Sequence, residues 1–163
     1  MLAERSRYSS ENCSIKRTLA VVGEKWTLFV LREAFYGVRR FEDFRRFIGC
    51  ARNILSARLT TLVEQEILRR EPYREAGRRE RTEYRLTPRG LELFQILVAL
   101  MQWGDRWTAD SAGPAAEIRH RDCKQPVRVT MMCAAGHGAL SARDTYATPG
   151  PGARLVARSR RRA

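Results

Sequence analysis

Residues 49–68, GCARNILSARLTTLVEQEIL, contain the most informative pattern of apolar and polar side chains in this chain. At helical spacing its apolar side chains fall on one face and its polar side chains on the others. The apolar set is Ile54, Leu55, Leu59, Leu62 and Val63. The polar set is Arg52, Asn53, Ser56, Arg58 and Thr60. Because Arg, Asn, Ser and Thr side chains can hydrogen bond to base edges, the stretch predicts a helix suited to the major groove of DNA.

The residues before this helix predict three further helices, over about residues 13–22, 25–36 and 41–48, separated by Gly23 and Gly37. In the second and third of them, the side chains expected to face inward are Trp26, Phe29, Val30, Leu31, Phe41, Phe44 and Phe47/Ile48. The residues Gly49, Cys50 and Ala51 form the turn into the fourth helix. A short helix joined in this way to a helix with a polar tip is the pattern of a helix-turn-helix.

After the fourth helix the hydrophobic period changes from 3.6 to 2, and residues 67–73 and 81–87 are predicted as strands. The intervening residues 74–80 contain Gly77, which can adopt a turn conformation, so the strands form a hairpin or wing. The basic side chains at its tip are Arg74, Arg78, Arg79 and Arg81. They could lie along phosphates or enter a narrow minor groove. The alternative is a solvated hairpin whose charges serve solubility.

The last predicted helix begins with Thr87 as its cap and Pro88 in its first turn, and it runs to about Trp107. It is apolar on two faces. One stripe is Leu91, Phe94, Leu97/Val98 and Met101, and the other is Leu93, Ile96, Leu100, Trp103 and Trp107. A monomer core normally needs one stripe, so the second predicts packing against a partner chain in an isologous dimer. The alternative is that the C-terminal part of the chain covers it.

The composition narrows the class of protein. The chain has 163 residues, a hydrophobic fraction of 44% and a formal net charge of +13. The charge favours a polyanionic partner, with nucleic acid ahead of an acidic membrane. Neither a secretory signal nor a membrane-spanning run is present, which predicts a cytoplasmic, nucleoid-associated protein with reduced cysteines. Catalytic motifs are absent from the sequence, and a thiol oxidoreductase using Cys123 and Cys133 would lack a CxxC motif, so no enzyme is predicted.

The chain resembles the HxlR-type family of winged helix-turn-helix bacterial transcription regulators over about residues 13–107. The segments that carry the resemblance are CSI at 13–15, GEKWT at 23–27, LRE at 31–33, GVRRFEDF at 37–44, ILSARLTTL at 54–62 and EYRLTPRG at 83–90. The resemblance implies a dimer formed by the first and last helices, with Asn53 and its neighbours in the groove and the wing beside it. Ala51 stands where a Ser or Thr cap is common in the family, so it cannot cap the reading helix by its side chain.

Cys13 lies where many members of this family carry a cysteine that senses oxidants or electrophiles. Lys16 and Arg17 are within one helical turn, and nearby cations favour the reactive thiolate. A dimer could join Cys13 to a thiol of the other subunit and move the two reading helices out of groove spacing. The alternative is an unreactive, partly buried cysteine near the interface.

The C-terminal segment contains His120-x-x-Cys123 and Cys133-x-x-x-His137, whose spacing is compatible with a zinc knuckle. It resembles an extension of some family members that shows His-x-x-Cys-Gly followed by Cys-x-x-Cys-Gly. Gly136 occupies the place of the second thiolate of the last pair, and His137 could substitute as the fourth ligand. The alternative is a small hairpin without metal. No other cofactor is predicted.

These observations predict a mainly α chain with a small β-hairpin wing, followed by a short β-rich or irregular appendage. The expected divisions are a polar arm at 1–12, a winged helix-turn-helix and dimerisation domain at 13–110, an appendage at 111–153 and a basic tail at 154–163. The predicted partner is a near-palindromic DNA operator, and the predicted activity is sequence-specific regulation, as a repressor. The alternative is a winged-helix module that binds RNA or protein without operator specificity.

Overall fold

The computed structural model describes residues 7–77 and 79–156. Within these residues the chain is mainly helical with one two-stranded sheet, as the sequence predicts. The elements are α1 (Ser14–Val22), α2 (Lys25–Phe35), α3 (Phe41–Ile48), α4 (Arg52–Glu64), β1 (Leu68–Tyr73), β2 (Arg81–Leu86), α5 (Pro88–Glu92) and α6 (Phe94–Trp107). None of the helices in the described part of the chain is long and apolar enough to cross a membrane.

The hydrophobic core lies between α2, α3 and α4 and extends to the base of the wing. Its fully buried side chains include Val30, Leu31, Phe44, Leu55, Leu59, Leu62 and Leu68. The predicted apolar face of α4 is therefore confirmed. The prediction that Phe29 faces inward is wrong, because its side chain remains 37% exposed. Of the alternatives Phe47 and Ile48, Ile48 packs against the core and Phe47 is 52% exposed. Arg32 lies over the ring of Phe29 and Arg46 over that of Phe47, so both rings are covered partly by guanidinium groups.

The turn between α3 and α4 fixes the direction of the reading helix. Gly49 ends α3 in the left-handed region, with φ of 71°, which a residue with a side chain rarely adopts. Ala51 then precedes α4 in an extended conformation and makes no side-chain cap, as predicted. Cys50 is buried in this turn, so its side chain helps to hold α3 against α4.

The wing is an antiparallel hairpin in which Leu68 lies opposite Leu86 and Tyr73 opposite Arg81. The backbone N–H of Tyr84 in β2 donates to the carbonyl of Arg39, at 2.8 Å, and so ties the hairpin to the loop before α3. At the other end, Thr87 caps α5 by accepting a hydrogen bond from the N–H of Gly90, which confirms the predicted cap. A Cβ at Gly90 would overlap the carbonyl oxygen of Ile67, so only glycine allows this close approach.

The single predicted helix from Pro88 to Trp107 is in fact two helices, interrupted at Leu93. The N–H of Leu93 bonds to the carbonyl of Gly90, three residues back, which is the tighter hydrogen-bond pattern of a 3₁₀ turn. Leu93 consequently packs against the core, whereas Leu91 is exposed, so these two residues exchange the faces predicted for them.

The outer face of α6 is uncovered in the single chain. Its exposed side chains are Ile96, Leu100, Trp103 and Trp107. The alternative that the C-terminal segment covers this stripe is therefore wrong for the described chain.

Residues 110–156 form the C-terminal segment, which has no regular helix or strand in the described residues and consists of turns and isolated bridges. Two of these bridges, Arg119 with Pro126 and Met131 with Leu140, close small hairpins. The side chain of Gln102 in α6 anchors the segment, because it donates to the carbonyl of Val127 at 2.7 Å and accepts from the N–H of Val129 at 3.0 Å.

The end of this segment pairs with the N-terminal arm. Tyr8 and Leu155 form an antiparallel bridge, and the N–H of Ser9 donates to the carbonyl of Arg154 at 2.7 Å. The side-chain amide of Asn12 also donates to the carbonyl of Gly152.

Candidate nucleic-acid interface

The polar face of α4 is accessible at its N-terminal half. Asn53 and Ser56 are exposed, and both lie within the first turns of the helix. Arg58 and Thr60 are half-buried, so they are less accessible than Asn53 and Ser56. The structure thus places the amide and hydroxyl groups predicted to meet base edges on the open side of a helix whose other face is in the core.

Arg52, the first residue of α4, is held by side chains of α3. Its Nη1 atom lies 3.1 Å from Oε1 of Glu42, and its guanidinium lies 5.0 Å from the ring centroid of Phe41. The same Glu42 carboxylate accepts from Nε of Arg45 at 3.0 Å. This contact between α3 and α4 is not among the predictions made from the sequence. An acidic residue in the first turn of the helix before the reading helix is the signal that could have indicated it.

The wing presents its arginines to solvent. Arg74, Arg79 and Arg81 are exposed, whereas Arg78 lies outside the described residues. Arg40 connects the wing to the loop before α3, since it forms an ion pair with Glu75 at 2.6 Å and lies 4.5 Å from the ring centroid of Tyr73. No local sequence pattern predicts this connection, because it joins residues more than thirty positions apart.

A charged network stabilises the strands of the wing. Glu71 and Glu83 lie directly opposite each other, which alone would be repulsive. Nε of Arg85 lies 2.6 Å from a carboxylate oxygen of each, and so bridges them. The hydrogen bond to Glu83 raises the pKa of Arg85 above its ordinary value, with smaller contributions from the charges of both carboxylates. Arg69 adds a further ion pair to Glu71, at 2.7 Å, so these arginines serve the wing itself.

Cys13 lies immediately before α1, at its N-cap position, and is half-buried. Its carbonyl accepts from the N–H of Arg17, and its own N–H donates to the carbonyl of Ser10. It is therefore placed between the N-terminal arm and α1, where Ile15 and Leu19 expose an apolar face.

The four predicted zinc ligands form two separate pairs. Nδ1 of His120 lies 3.3 Å from Sγ of Cys123, and Sγ of Cys133 lies 3.2 Å from Nδ1 of His137. Each pair sits in the turn of one of the two small hairpins. Over residues 7–77 and 79–156, however, no three His, Cys, Asp or Glu side chains are grouped so that they could hold a metal ion. In this arrangement the two pairs do not fit a single four-ligand zinc site.

Zinc binding by this segment stays a prediction, and metal analysis tests it. About one equivalent per chain after purification in metal-free buffer would support a structural ion, and less than about a tenth would contradict it.

Comparisons with known proteins agree with this geometry. The model of the HxlR-like helix-turn-helix family matches residues 21–112. An uncharacterised HTH-type transcriptional regulator of Mycobacterium tuberculosis is 44% identical over 142 residues, which are 87% of this chain and 89% of that protein. A match of that length must continue beyond residue 112, so the relative shares at least part of the C-terminal segment.

Two solved structures are similar in fold. One, provisionally assigned as a transcription factor, has a TM-score of 0.76 and 35% identity, over 86% of this chain and 96% of that one. The other is the redox regulator HypR in its oxidised form, with a TM-score of 0.54 and 30% identity, over 60% of this chain and 99% of that one. The family model spans more than half of the chain, including α2, the helix-turn-helix and the wing. The chain therefore belongs to the HxlR-like helix-turn-helix family.

Proposed function

We propose that this chain is a sequence-specific DNA-binding regulator of transcription that acts as a homodimer and represses its targets. The observation that carries the proposal is the exposed polar face of α4, which follows the helix-turn-helix turn and lies in the same domain as an arginine-bearing wing. The names of the relatives, HTH-type transcriptional regulators, support the same class of function. The excess of 31 basic over 18 acidic residues favours a polyanionic partner.

The dimer is supported by two exposed apolar faces. α6 exposes Trp103 at 60% and Trp107 at 65%, and α1 exposes Ile15 and Leu19. Aromatic side chains with so much accessible surface are costly to leave in water and are enriched at protein interfaces. Two copies joined through these faces would present two reading helices, which would require half-sites about one helical turn apart, roughly 34–36 Å.

The proposal is tested by exposing the purified full chain to fragmented genomic DNA, sequencing the bound fraction and measuring the affinity for the best fragment. We expect a near-palindromic site bound at least about a thousandfold more tightly than a scrambled duplex of the same length. Equal affinity for all duplexes, or displacement of the duplex by structured RNA at equal concentration, would contradict the proposal. A monomer at the working concentration would contradict the homodimer.

Two substitutions separate base contacts from phosphate contacts. Asn53→Ala should cost about 1–3 kcal/mol on the preferred site and relax the preference at one base position, because its amide is suited to adenine. Arg79→Ala should weaken binding to every duplex alike. It should also lower the number of counterions released on binding, measured as the slope of log affinity against log salt concentration, by about one. Equal losses on preferred and scrambled duplexes for both variants would contradict this assignment of roles.

We further propose that Cys13 makes the binding sensitive to oxidants or electrophiles. Its place at the N-terminus of α1, between the arm and the apolar face proposed for the dimer, allows a modification there to disturb the interface. A redox regulator among the structural relatives supports the same expectation. Cys13→Ser should retain DNA binding after diamide or quinone treatment that releases the parent protein. Cys50→Ser is the control, because that thiol is buried. Unchanged sensitivity in Cys13→Ser would overturn the role.

A further inference from the structure

We propose that Glu42 of α3 is a positioning residue for Arg52 and thereby sets the sequence preference of the reading helix. This inference rests on the proposed DNA-binding function of α4. Glu42 and Phe41 are the first two residues of α3, and both contact Arg52, the first residue of α4. The contacts cross the turn of the helix-turn-helix, so they fix a side chain of one helix by means of the other.

Arg52 contacts both Glu42 and Phe41 and is still accessible. Its Nη1 atom is 3.1 Å from Oε1 of Glu42, while its side chain is 69% exposed and that of Glu42 is 58% exposed. Two donors at most face the carboxylate, so the remaining guanidinium N–H groups are available to a ligand. The Glu42 carboxylate is also fixed from its other side by Nε of Arg45, at 3.0 Å.

An ordered guanidinium favours base contacts over phosphate contacts. Paired hydrogen bonds to O6 and N7 of guanine require one orientation of the guanidinium plane, whereas a contact to a phosphate tolerates many. A side chain that is already held in one rotamer loses less entropy when it binds. Glu42 therefore strengthens binding to the preferred site through Arg52.

The charge of Glu42 has the opposite effect on sequence-independent binding. A carboxylate close to the proposed groove repels the phosphates of any duplex. Removing the Glu42 carboxylate should therefore weaken binding to preferred DNA and strengthen binding to scrambled DNA. This difference distinguishes a positioning role from a merely structural one.

Asp43 provides a matched control. It is the next residue in the first turn of α3, and its carboxylate pairs with Nη2 of Arg46 at 2.9 Å, within the same helix. Asp43→Asn removes the same charge from the same end of the same helix, but the ion pair of Asp43 with Arg46 stays within α3. Any effect of charge or helix dipole is thus shared by both variants.

The experiment compares the full-length parent, Glu42→Gln and Asp43→Asn on the preferred genomic duplex and on a scrambled duplex, by fluorescence anisotropy at two salt concentrations. Both variants should bind the scrambled duplex about twofold to threefold more tightly, because each loses one negative charge. Only Glu42→Gln should bind the preferred duplex less tightly, by about tenfold. In an Arg52→Ala background, Glu42→Gln should cause no further loss on the preferred duplex.

Three results would overturn the inference. One is that Glu42→Gln and Asp43→Asn bind the preferred duplex with the same affinity. Another is a parallel loss on both duplexes with a lower melting temperature, which would assign Glu42 to the stability of the fold. The third is a further loss when Glu42→Gln is added to Arg52→Ala. A parent protein that prefers no duplex would instead contradict the proposed function itself.

Discussion

The winged-helix domain, residues 14–107, and the C-terminal segment, residues 110–156, are held in shape by different interactions. In the described residues every buried hydrophobic side chain lies between Val22 and Val98, and the C-terminal segment has none. That segment depends on hairpin hydrogen bonds, on Gln102 and on the pairing of its end with the arm. Burial of apolar surface fixes the proposed DNA-reading surface, whereas a few polar contacts hold the segment. The two regions should therefore respond differently to substitution.

The largest expected difference in the free energy of unfolding is between the loss of an aromatic side chain in the core and the loss of one in the C-terminal segment. Phe44→Ala should lower the free energy of unfolding by about 3–5 kcal/mol, because Phe44 is fully buried and its loss leaves a cavity next to Tyr84. Tyr146→Ala, in the segment, should change it by less than about 0.5 kcal/mol, since Tyr146 is 82% exposed. Urea unfolding followed by circular dichroism measures both. Similar losses would show that the segment has a core of its own in solution.

A substitution on the outer face of α6 tests whether apolar surface is also buried between two copies of the chain. Trp103→Ala should weaken the proposed dimer by about 2 kcal/mol, roughly thirtyfold in its dissociation constant, because exposed tryptophans dominate such interfaces. Sedimentation equilibrium measures the change. Gln95→Ala, at an exposed polar position of the same helix, is the control and should leave the constant unaltered. An unchanged constant for Trp103→Ala would remove this face from the dimer.

Loss of the Gln102 side chain, which anchors the C-terminal segment, is expected to have a smaller effect that is confined to that segment. Gln102→Ala removes two hydrogen bonds to the backbone at Val127 and Val129, and should speed amide hydrogen exchange at Val129 by about fivefold to thirtyfold. Amides in α4 should keep their rates, since both of these hydrogen bonds of Gln102 go to the C-terminal segment. Faster exchange in both regions would show that the segment and the domain open together.

The smallest expected effect is a gain in stability. Oγ1 of Thr27 is buried in α2 and, among the described residues, has no hydrogen-bond partner. Thr27→Val should raise the free energy of unfolding by about 1 kcal/mol, because the methyl group keeps the shape and removes an unsatisfied hydroxyl. Thr18→Val, at an exposed position of α1, is the matched control for changes in helix propensity. A loss of stability in Thr27→Val would mean that the hydroxyl bonds to a water or a partner in solution.

The sequence predicted the elements well where local signals determine them. The bounds of α3, the turn at Gly49 and the Thr87 cap follow from hydrophobic period, a left-handed glycine and a capping side chain, all of which act within a few residues. The break at Leu93 was not predicted, because residues 91–94 contain neither glycine nor proline. The close approach of Gly90 to the carbonyl of Ile67 was not predicted either, since it joins residues far apart in the chain.

The sequence predicted which residues belong to the candidate site, but only part of how their side chains are arranged. Asn53 and Ser56 are exposed as the helical pattern required, but the ties of Arg52 to Glu42 and of Arg40 to Glu75 involve different elements. A periodic pattern indicates which face a side chain occupies, and it does not indicate which neighbour shares that face.

The bridge between Tyr8 and Leu155 brings the two ends of the described chain to one place. A fluorescent label attached at Tyr8 or at Leu155 would thus sit at the same corner of the molecule, and it would disturb the pairing of both segments.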